Sequence, residues 1–163
     1  DKKWMWVIKM QHESKIEPAT IDDLVGLLEA MKVEIPAKRD ISEAEIRTRL
    51  EGKIHGIFKI TAGDATEAIS VWYESECSGY IWLGYSKTRG RGNGTRLVWS
   101  MLQDIRRKFD RAFTKTGDEN VAAQTILRKL GFKVYHSESN VLFLERSLPD
   151  IGRLINPYDL AIY

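Results

Sequence analysis

The 163-residue sequence has one cysteine, four prolines and no long apolar run. The lone Cys77 excludes a disulfide within the chain and fits a reducing compartment. No stretch reaches the roughly 18 apolar residues that a membrane span needs, and the first residues lack the features of a signal peptide. We therefore expect a soluble, cytoplasmic protein that makes no membrane contact.

The sequence also lacks a strong charge excess and the spacing of a metal site. Its 25 Lys and Arg residues against 23 Asp and Glu residues give a net charge of +2, too small to indicate a nucleic-acid partner. The three histidines lie far apart and show no metal-ligand spacing with Cys77, so we expect no metal. One basic cluster suits the C-terminal end of a helix and only weakly favours nucleic acid: Arg106, Arg107, Lys108 and Arg111.

The chain has enough hydrophobic residues to form one core. Hydrophobic residues make up 43% of it, including five Trp, six Tyr and five Phe. Because no repeat or Pro/Gly/Ser linker interrupts the sequence, we predict a single domain over residues 15–147, with extensions at 1–14 and 148–163. The second extension is apolar enough to pack on its own domain or on a second subunit, which leaves a homodimer open.

The periodicity of apolar residues alternates between helix and strand patterns along the chain. The order β-α-α-β-β-β-α-β-α-β-β predicts an α/β (α+β) fold with a mixed, mostly antiparallel sheet flanked by helices. Three central strands should form an antiparallel meander, and a hairpin should close the chain. The predicted strands cover 4–10, 15–17, 54–61, 68–74, 80–85, 111–115, 132–136 and 140–146, and the predicted helices cover 19–31, 42–52, 96–109 and 117–132.

A glycine-rich stretch precedes the third predicted helix. Gly90, Gly92 and Gly94 alternate with basic and polar residues there. Glycine permits positive φ and close approach of a ligand, and a helix N-terminus attracts anions such as phosphate. A plain turn with solvated arginines stays open on these residues alone. The two familiar phosphate patterns fail, because no Gly-Lys-Ser/Thr occurs and Thr95 stands where a dinucleotide fingerprint needs glycine.

The pattern that fits is R-x-x-G-x-G, from Arg89 through Gly92 to Gly94. It resembles the pyrophosphate-binding motif of the GNAT acetyltransferase superfamily. The segment from Asn120 to Ala123, followed by Leu-Gly-Phe at 130–132, resembles that family's second signature, and KIEPATIDDLVGLL is similar to its usual opening. The resemblance spans residues 15–146 in the family's order.

This resemblance implies that acetyl-CoA binds between two parallel strands, 80–85 and 111–114, which splay apart. It implies that Arg89 orders the loop or approaches the phosphates and that Asn120 meets the pantetheine arm, although Asn120 could equally cap a helix. Gly84 stands where a backbone N–H polarises the thioester carbonyl. The amides that would hold the pyrophosphate belong to Arg91, Gly92, Asn93, Gly94 and Thr95.

The implied activity is transfer of an acetyl group from acetyl-CoA to an amine on a small molecule or a protein. The family's general-acid tyrosine is replaced here by Leu127, which cannot donate a proton. Tyr135, Tyr85 and His136 are the candidates for that acid, and no base is evident beyond strand-end carboxylates such as Glu74. Two alternatives stay open: a catalytically impaired GNAT-fold protein acting through a protein partner, and a nucleic-acid-directed acyltransferase.

Overall fold

The computed structural model describes residues 14–34, 40–88 and 90–148. The predicted strand at 4–10, Arg89 of the glycine motif and residues 149–163 of the C-terminal extension lie outside these ranges. The strands are β1 (Ser14–Pro18), β2 (His55–Ala62), β3 (Ala65–Ser75), β4 (Ser78–Ser86), β5 (Arg111–Gly117), β6 (Lys133–Glu138) and β7 (Val141–Ser147). The helices are α1 (Ile21–Gly26), α2 (Leu28–Glu34), α3 (Glu43–Leu50), α4 (Asn93–Ile105) and α5 (Val121–Lys129). Within those ranges no helix has both the length and the apolar content to cross a membrane.

The seven strands form one sheet in the order β1-β2-β3-β4-β5-β7-β6. The predicted meander of β2, β3 and β4 is confirmed, and so is the parallel pairing of β4 with β5. Every other neighbouring pair is antiparallel, so the mixed, mostly antiparallel sheet is confirmed. The closing hairpin folds back so that β7 lies between β5 and β6.

The sheet separates two hydrophobic cores. On one face, Met101, Leu102 and Ile105 of α4 pack with Ile81 of β4 and Ala112 of β5. The core on the other face is formed by α1, α2 and α3 against β2, β3 and β4: Leu24, Leu28, Met31, Ile46, Leu50, Ile57, Ile69, Val71, Tyr73, Leu83 and Tyr85. The two faces of β4 therefore meet different helices.

The predicted helices are present with different boundaries: α4 covers Asn93–Ile105 where 96–109 was predicted, and α5 covers Val121–Lys129 where 117–132 was predicted. The helix expected over 19–31 divides at Leu27, next to Gly26, where glycine weakens a helix interior. Ser42 caps α3 and accepts a hydrogen bond of 3.1 Å from Glu45 N. The carboxylate of Glu45 turns to Arg49, 2.9 Å away, instead of returning to the cap.

The contact between β4 and α4 predicts the effect of Gly79→Ala on stability. An added Cβ would lie 2.5 Å from Cγ2 of Ile105, so the helix or the strand must shift. We expect Gly79→Ala to lower the free energy of unfolding by about 1–3 kcal/mol. Chemical denaturation measures this change. Gly26→Ala is the matched control, because nothing lies within 4 Å of its added Cβ, and it should be neutral or slightly stabilising. Equal effects of the two substitutions would contradict this packing argument.

Candidate functional site

A cleft opens in the middle of the sheet, between the parallel strands β4 and β5. Their pairing is confined to Gly79 with Ala112, Tyr80 with Phe113, and Ile81 with Thr114. Beyond these pairs, and among the strands that the structure describes, β4 continues beside β3 only and β5 continues beside β7 only. The C-terminal halves of the two strands therefore diverge, and the Ile81–Thr114 pair forms the apex of the cleft.

A β-bulge at the apex accounts for the divergence. Trp72 of β3 lies opposite Ile81, whereas the preceding Val71 lies opposite Leu83, so Trp82 is an extra residue in β4. Bulges bend a strand and increase its twist. Thr114 Oγ1 donates a hydrogen bond of 2.8 Å to the carbonyl of Ile81, which holds the two strands together at their last paired residues.

The segment that follows β4 is the glycine loop, which the structure describes at residues 87–88 and 90–92. Gly90 and Gly92 have φ values of 77° and 74°, the left-handed region that glycine adopts without strain. Gly92 is the N-cap of α4 and has no side chain with which to cap it, and the first intrahelical bond runs from Arg96 N to Gly92 O. The amides of Asn93, Gly94 and Thr95 therefore have no partner within the helix and present an anion-binding end.

Close packing and hydrogen bonds hold the start of α4 beside the end of β4. Asn93 is 7% exposed, and its Nδ2 donates to Ser86 Oγ at 3.2 Å. Ser86 Oγ in turn donates to the carbonyl of Thr88 at 2.6 Å. A Cβ on Gly94 would lie 2.9 Å from Ile126 Cδ1 of α5, so this glycine permits close helix contact. The sequence predicted Asn93 only as an amide donor and missed its role as an anchor.

The other predicted cofactor residues lie around the cleft. Arg91 is exposed in the loop. Asn120 follows β5 and caps α5, because its Oδ1 accepts a hydrogen bond of 3.2 Å from Ala123 N. Asn120 is therefore a helix cap, which is one of the two roles that the sequence allowed. Its contact with the pantetheine arm stays a prediction. Gly84 is exposed although β4 is a central strand, because β5 has turned away at this level.

The candidate catalytic residues lie apart from one another. Leu127 is 6% exposed and belongs to the core beneath α4. Tyr85 is also 6% exposed, in the opposite core, where burial and the carboxylate of Glu34 raise the pKa of its phenol. Glu74 accepts a hydrogen bond of 3.3 Å from Ile54 N, which ties its carboxylate to the chain beside β2.

Tyr135 lies elsewhere, in a pocket of about 170 Å³ that adjoins the apex. We call it the aromatic pocket, and its lining residues are Arg49, Tyr73, Ser75, Glu76, Tyr80, Phe113, Lys115, Tyr135 and Phe143. The Tyr80 ring stacks on Phe113 across β4 and β5, with ring centres 4.9 Å apart and planes at 22°. His136, the neighbour of Tyr135, is exposed and lies 3.3 Å from Glu138.

Sequence reasoning missed most of this pocket because five strands and α3 supply its residues. The aromatic side chains occur singly on different strands, and no local spacing joins them. Burial gives Tyr80 a special property, raising the pKa of its phenol to about 12. The neighbouring Tyr73 contributes in the same direction. Tyr80 is therefore a neutral hydrogen-bonding group at physiological pH.

Comparison with known proteins agrees with this geometry. Residues 56–141, more than half of the chain, match the model of the family described as FR47-like protein. No curated protein matches the chain in sequence.

Solved structures with the same fold are similar over most of the chain. The yncA protein of Salmonella typhimurium, solved with its cofactor acetyl-CoA, has a TM-score of 0.67 at 14% identity and covers 88% of this chain and 98% of its own. The PaiA N-acetyltransferase of Thermoplasma acidophilum, in complex with coenzyme A, also has a TM-score of 0.67 at 14% identity, with coverages of 82% and 98%. The ribosomal-protein-S18-alanine N-acetyltransferase of Escherichia coli has a TM-score of 0.63 at 14% identity, with coverages of 88% and 99%.

The raised pKa of Tyr80 predicts a pH dependence of stability. In the unfolded chain this phenol ionises near its ordinary pKa of about 10, whereas in the folded protein it keeps its proton to about 12. Its contribution is therefore fully present below about pH 10 and is lost as the pH rises toward about 12. Chemical denaturation across this range should show a smaller fall in unfolding free energy for Tyr80→Phe than for the unsubstituted protein. Identical profiles would contradict the assignment.

Proposed function

The chain belongs to the FR47-like family within the GNAT superfamily, and from this we propose that it is an N-acetyltransferase that moves the acetyl group of acetyl-CoA to an amine. The observation that carries the proposal is the cleft between β4 and β5, which leads directly into an uncapped helix N-terminus. A phosphate-bearing ligand suits that helix end, and the gap between the strands provides room beside the backbone.

The residues of the glycine loop fit the pyrophosphate of acetyl-CoA. Gly90 and Gly92 have left-handed backbone and no side chains that could obstruct a ligand. The dipole at the N-terminus of α4 favours the negative charge of the pyrophosphate. Solved structures with this fold hold acetyl-CoA or coenzyme A, which supports the same ligand class here. The amides proposed to hold the pyrophosphate are those of Arg91, Gly92, Asn93, Gly94 and Thr95. Asn120 and the backbone at Gly84 would border the rest of the cofactor.

The reaction requires an amine with a free lone pair and a proton for the departing sulfur. The amine nitrogen forms a bond to the thioester carbonyl carbon while the carbon–sulfur bond breaks. The nitrogen then loses a proton, and the thiolate of CoA gains one, so the products are an amide and free CoA. We propose Tyr135 as the proton donor, because it is 43% exposed and lines the pocket beside the apex.

The glycine loop can be tested with Gly90→Asp. Nothing lies within 4 Å of an added Cβ at Gly90, and Asp is among the residues that tolerate left-handed backbone, so the fold should persist. The new carboxylate should repel the pyrophosphate and weaken acetyl-CoA binding by about tenfold or more. Calorimetric titration with acetyl-CoA and with CoA measures the effect.

Gly52→Asp is the matched control. Gly52 has the same φ of 77° and the same open surroundings, but it follows α3 and lies outside the loop. The two variants add the same charge and the same backbone strain. If Gly90→Asp bound acetyl-CoA as tightly as Gly52→Asp, the glycine loop would not be the pyrophosphate site.

The proton donor can be tested with Tyr135→Phe, which removes only a hydroxyl. We expect kcat to fall by about 10²-fold or more, with the Kd for acetyl-CoA unchanged, because the phenol would act on the leaving thiolate and not on cofactor binding. Release of free CoA with the best acceptor from a panel of primary amines measures the rate. Tyr85→Phe removes the same group from the core. A loss confined to Tyr85→Phe would transfer the role to Tyr85, and unchanged rates in both would exclude the two phenols.

A further inference from the structure

We propose that the aromatic pocket is an anion-selective acceptor site, and that the acceptor is a small amine carrying a carboxylate or phosphate which pairs with Lys115. The assignment of this ligand as the acceptor rests on the proposed acetyltransferase function. The selectivity for an anion rests on the pocket alone.

The pocket lies at the apex of the cleft, on the sheet face opposite to α4. Ile81 and Ala112 pack beneath α4. Their neighbours Tyr80 and Phe113 line the aromatic pocket, as expected from the alternation of side chains along a strand. A molecule in the pocket would therefore lie beside the Ile81–Thr114 pair, where a ligand held in the cleft would end.

Among the described residues, Lys115 is the lining cation that makes no ion pair. It follows Thr114 directly, so it marks the point where β5 leaves β4. Its side chain is exposed, and no carboxylate of the described residues lies within 4 Å of its Nζ. The lining carboxylate, that of Glu76, is exposed to solvent and lies beyond this distance. The other lining cation, Arg49, is already bound to Glu45 at 2.9 Å and to the Tyr73 hydroxyl at 3.0 Å.

The chain's own cations already cover several ring faces of the pocket. Nζ of Lys115 lies 5.6 Å from the ring centre of Tyr80 and 5.3 Å from that of Phe143. The guanidinium of Arg111, which pairs with Glu145, lies 5.2 Å from the ring centre of Tyr135. A cage of rings would suit a cationic ligand only if its faces were free. With cations already on these faces, the complementary ligand is an anion.

The volume limits the ligand to a small molecule or a single residue of a chain. About 170 Å³ corresponds to roughly six water molecules at ~30 Å³ each. The rings of Tyr73, Tyr80 and Phe143 offer apolar surface around the cation. An amine with one acidic group and a compact apolar body therefore fits the pocket best.

Paired ligands with and without the anionic group test the selectivity without acetyl-CoA. Phenylalanine is compared with phenylalaninamide, and 2-aminoethyl phosphate is compared with ethanolamine, by calorimetry or by chemical shifts of the pocket residues. In at least one pair the anionic member should bind about threefold or more tightly, because the ion pair with the exposed Lys115 is lost in the other member. The pair that shows the preference identifies carboxylate or phosphate as the recognised group. Equal binding in both pairs would overturn the proposal.

Three substitutions locate the selectivity at one side chain. Lys115→Gln should abolish the preference for the anionic ligand, and Lys115→Arg should retain it. Lys133→Gln is the matched control, since Lys133 is an exposed strand lysine on β6 that does not line the aromatic pocket. A preference that survived Lys115→Gln, or that fell equally with Lys133→Gln, would contradict the assignment.

Mass spectrometry of the same ligands with acetyl-CoA separates this proposal from the function on which it rests. If the anionic ligand bound through Lys115 but no acetylated product formed, the pocket would stand as an anion site and the acetyltransferase function would fail. If each anionic ligand and its neutralised partner were acetylated with equal kcat/KM, the function would stand and the anion selectivity would fail. Acetylation of the anionic member alone, lost in Lys115→Gln, would support both.

Discussion

The parting of β4 and β5 at the Ile81–Thr114 pair is the constraint on which the rest of the site depends. Each strand keeps one hydrogen-bonded neighbour beyond that pair, β3 for β4 and β7 for β5, so the sheet tolerates the gap. The gap then leaves one edge of each strand facing the cleft. A tether at the apex, from Thr114 to the carbonyl of Ile81, stops the separation from extending further along the strands.

The bulge at Trp82 also decides which core each residue of β4 joins. In a regular strand Ile81 and Leu83 would face the same side of the sheet. Here Ile81 packs beneath α4, and Leu83 packs against the core of α1, α2 and α3. The inserted residue therefore reverses which face of the sheet the following β4 side chains occupy, and the cleft opens at the same place. For this reason β4 keeps buried side chains in both cores although the cleft opens along one of its edges.

The sequence predicted most of the elements, because the periodicity of apolar residues is a local signal. It also predicted the glycine loop, since glycines at Gly90 and Gly92 are needed for left-handed backbone. It could not predict the bulge. From Tyr80 to Leu83 every residue of β4 is apolar, so no polar alternation marks the extra one. The aromatic pocket was equally invisible, because its lining residues come from strands far apart in the chain.

The start of α4 and the aromatic pocket would both attract negative charge, and the charge of the pocket would also affect how the acceptor amine loses its proton. The start of α4 attracts phosphate through backbone amides and the helix dipole, whereas the pocket would attract an acidic group through Lys115. The positive charge of Lys115 would disfavour the ammonium form of an acceptor amine bound nearby. The same cation that holds the acid of such an acceptor would therefore raise the fraction of free amine. In that arrangement solvent water could take the proton, and a dedicated carboxylate base would not be required.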